Sequence, residues 1–188
     1  NDLIAALKEN PGAVSWAGGS AGGTDHIAVG LIAKAAGVDP TKINYIAYSG
    51  GGEALAAILG NQVTAGVSSL GEFEAQVKAG TLRPLGVTTP GETPHVPGVP
   101  SFAQQGFGGF EAPTWWAFLG RAGTPDPVLQ KMSDAVTRVM QMPEIRGRIE
   151  EMGADVLAGG AERCRRFLNA EVAKWGRVIR DNNITADS

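Results

Sequence analysis

The feature that most constrains the fold of this chain is a glycine-rich turn at residues 18–25, Gly-Gly-Ser-Ala-Gly-Gly-Thr-Asp. A short apolar run precedes it at residues 13–17, and a run with apolar residues at helical spacing follows it at residues 27–36. This order predicts a strand, a tight turn and a helix, with Thr24 or Asp25 as the cap of the helix. Glycine adopts backbone conformations that other residues avoid, and it lets a ligand approach the main chain closely.

The same turn predicts a binding site for a small anion. The amides of residues 20–25 would lie at the positive end of the predicted helix, where unpaired N–H groups and the helix dipole favour negative charge. Neither nucleotide-binding fingerprint fits, because Ser20 and Ala21 break the Gly-x-Gly-x-x-Gly spacing and no Gly-Lys-Ser/Thr follows. We therefore expect a carboxylate as the ligand, and no cofactor. The alternative is a turn that only connects a strand to a helix.

The alternation of strand, turn and helix continues to residue 88. Further strands are predicted at residues 43–48, 63–67 and 82–88, and further helices at residues 53–59 and 72–79. Pro84 places the last of these strands near a sheet edge, because proline has no N–H to donate. This alternation with short connections predicts an α/β fold with a mostly parallel sheet and flanking helices.

Three turns of this sheet are small, polar and rich in glycine or serine. After the glycine-rich turn, the second contains Ser49, Gly50 and Gly51, and the third contains Ser68. Ligands of open parallel sheets bind outside the carboxyl ends of the strands, where these turns would meet. We expect the three turns to form a site for a small ligand.

The rest of the chain changes in character. Residues 89–113 are rich in proline and glycine, and they predict an ordered excursion around a short helix near residues 101–105. Beyond it the pattern predicts strands at residues 114–119 and 155–157 and helices at residues 126–140, 143–152 and 161–179, with Thr124 as the cap of the first helix. This tail has too few strands for its own sheet, so it either completes a domain whose other half lies elsewhere or packs on the first.

Composition and charge argue against several functional classes. The net charge of −3 and the absence of a basic cluster give no case for binding to nucleic acid or to an anionic membrane. No apolar run is long enough to span a membrane, and no cluster of metal ligands stands out. A hydrolase would need a nucleophile placed beside a histidine, but the chain has two histidines, one cysteine (Cys164) and no Gly-x-Ser-x-Gly. A small α/β enzyme is the less favoured alternative.

Several stretches in combination resemble the solute-binding proteins of tripartite tricarboxylate transporters, also called Bug proteins. They are the glycine-rich turn at residues 19–26, Tyr-Ser-Gly-Gly-Gly-Glu-Ala-Leu at residues 48–55, Leu-Gly-Asn-Gln-Val at residues 59–63, Gly-Thr-Leu-Arg at residues 80–83, and Trp-Trp followed by Gly-Thr-Pro within residues 115–125. Each stretch is weak alone, whereas the set covers nearly the whole chain. Ser49 stands where many members have lysine, which is similar to the branch nearer the citrate-type binders.

The resemblance implies a periplasmic binding protein of two α/β lobes, a Venus flytrap that closes on a carboxylate such as citrate. Residues 1–113 would form the second, ligand-binding lobe, and residues 114–188 would form the C-terminal portion of the first lobe. The resemblance also implies that an N-terminal segment of the family is missing from this chain. The partners would be a small carboxylate and the membrane components of the transporter, with no catalysis. A sensing role toward a signalling partner is the alternative that stays open.

We expect main-chain N–H groups and hydroxyls, rather than a cationic side chain, to hold the carboxylate. The predicted binding residues are Gly19, Ser20, Ala21, Gly22, Gly23, Thr24, Ser49, Gly50, Gly51 and Ser68. Ser69 stays open between a binding role and a hydrogen bond to its own turn. His26 is predicted to be structural because it lies in the first turn of a helix, and no residue is predicted to be catalytic or to bind a metal.

Overall fold

A computed structural model describes residues 2–108 and 111–181 of the 188-residue chain. The described residues fall into two units, which divide in the sequence between Thr114 and Trp115. The first unit contains a sheet and the second is helical.

The sheet of the first unit has three parallel strands in the order β2-β1-β3 among the described residues. The strands are β1 (Ser15–Gly18), β2 (Asn44–Ala47) and β3 (Ala65–Gly66). In the register, Gly18 pairs with Ala47, and Ala17 pairs with Gly66. The prediction of an α/β fold with a parallel sheet is therefore confirmed, and β1 is the central strand.

Among the described residues of the first unit, four α-helices accompany the sheet: α1 (Asp2–Glu9), α2 (Thr24–Ala35), α3 (Gly51–Leu59) and α4 (Leu70–Lys78). Trp16 of β1 lies in a core cluster with Leu7 of α1 and Ile32 of α2, whereas Ala17 lies in a second cluster with Ala54 of α3. Successive residues of a strand point to opposite faces of its sheet. One face of the sheet is therefore covered by α1 and α2 and the other by α3, the double cover that parallel strands need.

The cap predicted for α2 is wrong. Its N-cap is Gly23, and both Thr24 and Asp25 lie inside the first turn of the helix. The Asp25 side chain accepts a hydrogen bond from the amide of Gly19, in the loop before the helix, instead of one from the helix itself. The Asp25 carboxylate therefore bonds to a residue that precedes it in the chain, and this bond stabilises the glycine-rich turn.

The fourth predicted strand is also wrong. Residues 82–88 contain only an isolated parallel bridge between Val87 and Ser101. Pro84 interrupts the donors that a strand ladder requires. The short helix expected near residues 101–105 is a series of turns in which Ser101 Oγ accepts from the Gln104 amide and Gln104 Oε1 accepts from the Ser101 amide. The Gln105 amide also bonds to the Ser101 carbonyl, but these bonds form consecutive turns and no regular helix.

The second unit consists of α5 (Asp126–Gln141), α6 (Pro143–Glu151) and α7 (Gly160–Asp181). The predicted strands at residues 114–119 and 155–157 are irregular instead. Trp115 donates from Nε1 to the Glu171 carboxylate of α7, so a side-chain bond fixes this segment. Thr124 does not cap α5, whose N-cap is Pro125. Among the described residues, no helix is both long and apolar enough to cross a bilayer.

Candidate ligand-binding site

A cavity of about 260 Å³ lies in the first unit, beside the turns that follow β1 and β3. The residues that line it are Gly19, Ser20, Gly23, Thr24, Asp25, Ser68, Ser69 and Thr114. Because β1 and β3 are parallel neighbours, their following turns meet at the carboxyl edge of the sheet. Five of these eight residues are serine or threonine, and none of the described residues that line the cavity is a lysine, an arginine or a histidine.

The glycine-rich turn is held in place at Gly19 from two sides. The Gly19 amide donates to Asp25 Oδ2 at 2.9 Å, and the Gly19 carbonyl accepts from Tyr45 Oη of β2 at 2.8 Å. A side chain at Gly18 would overlap the Tyr45 hydroxyl and would lie 3.0 Å from the Val67 carbonyl oxygen. This packing requires glycine at residue 18, for a reason that the sequence alone did not reveal.

A second set of bonds holds the far side of the turn. The Gly22 amide donates to His26 Nδ1 at 3.0 Å, and the His26 ring stacks on Tyr45 with centroids 4.3 Å apart. The Gly23 amide donates to the Ser20 carbonyl at 2.9 Å. Gly22 has φ of +74°, which favours glycine because a Cβ is strained there. The His26 ring thus supports the turn by accepting a hydrogen bond from the Gly22 amide. We expected a structural role for this residue.

These bonds divide the amides of the turn into two groups. The amides of Gly19, Gly22 and Gly23 bond within the turn and its supports. The amides of Ser20, Ala21 and Thr24 have no hydrogen-bond partner among the residues that the structure describes. All three of these residues are exposed, and Thr24 begins the twelve-residue helix α2. The donors available to an anion are therefore fewer than the sequence suggested.

The second predicted turn does not line this cavity. The Ser49 amide donates to Glu53 Oε2 at 3.1 Å, and Gly50 is the N-cap of α3. Gly51 is buried against the Glu72 side chain, whose Cγ lies 2.6 Å from where a Cβ at Gly51 would stand. The lining of this cavity comes from the turns after β1 and β3 and from Thr114, and it includes none of Ser49, Gly50 and Gly51.

The electrostatics of the cavity are set by Asp25. Burial raises the pKa of the Asp25 carboxyl, the hydrogen bond from the Gly19 amide opposes this rise, and the charge of Glu72 adds to it. Burial, and then the negative charge of Asp25, also raise the pKa of Tyr45, so its hydroxyl is protonated at neutral pH and donates to Gly19. Within the described parts of the chain, no group of three or more histidine, cysteine, aspartate or glutamate residues could hold a metal ion.

Sequence reasoning missed two of the lining residues. Thr114 lies 90 residues after Thr24, and no local pattern connects it with the glycine-rich turn. Asp25 was interpreted only as a helix cap, although its place within the turn is a signal that it could face a ligand. Ser69, which the sequence left open, lines the cavity beside Ser68, whereas Ala21 and Gly22 of the turn do not.

Comparison with known proteins shows which family the chain resembles. A family model described as the tripartite tricarboxylate transporter family receptor matches residues 1–184. Protein BugT of Bordetella pertussis is 27% identical over 179 residues, which cover 95% of this chain and 54% of BugT. The chain therefore spans about half the length of that relative.

Two solved structures share the fold closely. One, described as R. palustris Rpa4515 with adipate, has a TM-score of 0.89 and 25% identity, covering 98% of this chain and 60% of its own. The other, described as the structure of a periplasmic transporter, has a TM-score of 0.86 and 26% identity, covering 99% of this chain and 61% of its own.

Proposed function

The chain belongs to the tripartite tricarboxylate transporter receptor family, and from this premise we propose that it binds a small carboxylate in the cavity beside the glycine-rich turn. The family is one of receptors, so the binding class is favoured over the enzyme class that the sequence left as an alternative. The ligand would be a dicarboxylate or a citrate-like tricarboxylate.

The observation that carries this proposal is the set of donors at the cavity. Five residues that carry hydroxyls line one space, where the N-terminus of α2 adds its dipole: Ser20, Thr24, Ser68, Ser69 and Thr114. The amides of Ser20 and Thr24, which also line the cavity, have no partner among the described residues. Hydrogen bonds to an ionised acceptor are roughly twice as strong as neutral ones. A carboxylate can therefore be held here without lysine or arginine.

The wider role follows from the family. In this proposal the protein works in the periplasm and delivers its ligand to the membrane components of a tripartite transporter. Residues 1–113 form the ligand-binding lobe, and residues 114–188 contribute to the other lobe of a two-lobed protein. The relative described with adipate supports a carboxylate as the ligand class.

Isothermal titration calorimetry with citrate, malate, succinate and adipate tests the proposal. We expect saturable binding of at least one of them, with the ligand recovered unchanged when the mixture is analysed by NMR. Ser20→Ala and Ser68→Ala should each weaken binding about tenfold, because a hydrogen bond to a charged group contributes about 1.5–3 kcal/mol. Ser133→Ala removes a hydroxyl from α5 in the second unit and should leave binding unchanged.

Two results would contradict carboxylate binding itself, and a third would contradict its location in this cavity. One is the absence of binding for all four carboxylates at millimolar concentration. The other is conversion of a ligand into a product, which would indicate an enzyme. Equal effects of Ser20→Ala and Ser133→Ala would show that the ligand binds elsewhere.

A further inference from the structure

Asp25 is the one acidic residue among the described residues that line the cavity, and no cationic residue lines it. Its Oδ2 accepts from the Gly19 amide at 2.9 Å. Its Oδ1 has no hydrogen-bond partner within residues 2–108 and 111–181. A site for an anion thus contains a carboxylate with one oxygen left to accept a hydrogen bond.

An ionised carboxylate accepts hydrogen bonds and donates none. A ligand carboxylate beside Asp25 is therefore repelled unless a donor lies between the two groups. The hydroxyls of Ser20 and Thr24 can rotate to suit either partner, whereas Asp25 cannot change from acceptor to donor while ionised. The charge of Glu72, which raises the pKa of Asp25, adds a further negative field at this side of the cavity.

We infer that Asp25 determines specificity at this site by accepting a hydrogen bond from a hydroxyl or ammonium group that the ligand carries next to a carboxylate. The inference rests on the proposed function and deepens it. Ligands with such a donor fit both the amides of the turn and the Asp25 oxygen. Ligands without one leave a carboxylate facing a carboxylate.

The same side chain also supports the turn, so the test must separate specificity from support. Asp25→Asn preserves an oxygen that can accept from the Gly19 amide, and it replaces the second oxygen with an NH₂ donor. If Asp25 only supports the turn, this variant changes the affinity of all carboxylates by the same factor. If Asp25 recognises a ligand donor, the variant changes the ratio between ligands that have the donor and ligands that lack it.

Two ligand pairs differ by the hydroxyl alone: citrate with tricarballylate, and malate with succinate. In the wild-type chain, calorimetry should give at least about tenfold tighter binding for the hydroxylated member of each pair, because a site with a hydrogen-bonding group rejects the analogue that lacks its partner. Adipate should behave like succinate. In Asp25→Asn the ratio should fall to about threefold or less, with the hydroxyl-free ligands gaining affinity.

The control is Asp39→Asn, at an exposed aspartate that accepts from the Thr41 amide at 3.0 Å and does not line the cavity. It should leave both ratios unchanged. An unchanged ratio in Asp25→Asn, with measurable binding, overturns the specificity role and leaves the proposed function standing. Loss of all binding in the wild-type chain overturns both.

Discussion

Tyr45 Oη donates a hydrogen bond to the Gly19 carbonyl at 2.8 Å, which ties the second strand of the sheet to the turn that follows the first. Asp25 accepts from the amide of the same glycine, so both polar groups of Gly19 are held by side chains. The turn therefore has a fixed conformation before a ligand arrives. Preorganisation of this kind raises affinity, because less freedom is lost on binding.

Tyr45→Phe tests this support. The variant keeps the ring that stacks on His26 and removes only the hydroxyl that bonds to Gly19. We expect a loss of about 1 kcal/mol in the free energy of unfolding, measured with urea, and about fivefold weaker carboxylate binding. Tyr48→Phe is the matched control, since the Tyr48 hydroxyl has no partner among the described residues. Equal losses in both variants would mean that the bond to Gly19 is unimportant.

Gly22→Ala tests the conformation of the turn. The φ of +74° at Gly22 is strained for alanine, so the variant should lose about 1–2 kcal/mol of stability and most of its ligand affinity. Gly147→Ala, within α6 and with open space around its Cβ position, should instead gain up to about 1 kcal/mol. Thermal unfolding of both variants would check these signs. A tolerated Gly22→Ala would show that the turn has another conformation.

Asp25→Asn should raise stability at neutral pH while it alters ligand preference. The pKa of Asp25 is raised, chiefly by burial, so the folded state holds this proton more tightly than the unfolded chain does. The contribution of Asp25 to stability is therefore greatest at low pH and falls as the pH rises through the raised pKa. We expect a higher melting temperature for the variant than for wild type at pH 7, with the difference shrinking toward pH 3. A lower melting temperature at pH 7 would show that the charge of Asp25 stabilises the fold.

Glu171 gives the second unit the opposite pH dependence. Burial alone would raise its pKa, but hydrogen bonds from Lys174, Trp175 and Trp115 together lower it below the ordinary 4.5. The stabilisation that ionised Glu171 provides is present at pH values above its ordinary pKa, and it is lost as the pH falls through the lowered pKa. Glu171→Gln should cost about 2 kcal/mol at pH 7 and remove this acid-dependent loss. Tryptophan fluorescence during an acid titration of both proteins would measure this loss. An acid transition that is the same in the variant and in the wild type would contradict the role of Glu171.

The first strand, its turn and α2 could be predicted from the sequence because their signals are local: an apolar run, glycines and helical spacing. The resemblance to a carboxylate-binding family also rests on short stretches that survive in the sequence. The prediction of a fourth strand was wrong because Pro84 removes a backbone donor, although the apolar pattern still favours a strand there. Thr114 could not be predicted, since its position beside Ser68 depends on how the proline-rich segment packs.

The sequence also did not predict where Ser49, Gly50 and Gly51 lie relative to the cavity. Their sequence predicts a polar turn at the carboxyl edge of the sheet, and the turn does follow β2 there. Ser49 bonds to Glu53, Gly50 caps α3, and Gly51 packs against Glu72, however, and no local pattern reveals these contacts. The roles of these three residues as binding groups stay predictions.

Amide NMR during a titration with citrate tests the central claim most directly. If main-chain N–H groups of the glycine-rich turn hold the carboxylate, the largest downfield shifts should occur at Ser20 and Thr24, which line the cavity and whose amides have no partner among the described residues. The amides of Gly19 and Gly22, already bonded to Asp25 and His26, should move less. Saturable shifts elsewhere in the chain, with Ser20 and Thr24 unmoved, would contradict the account.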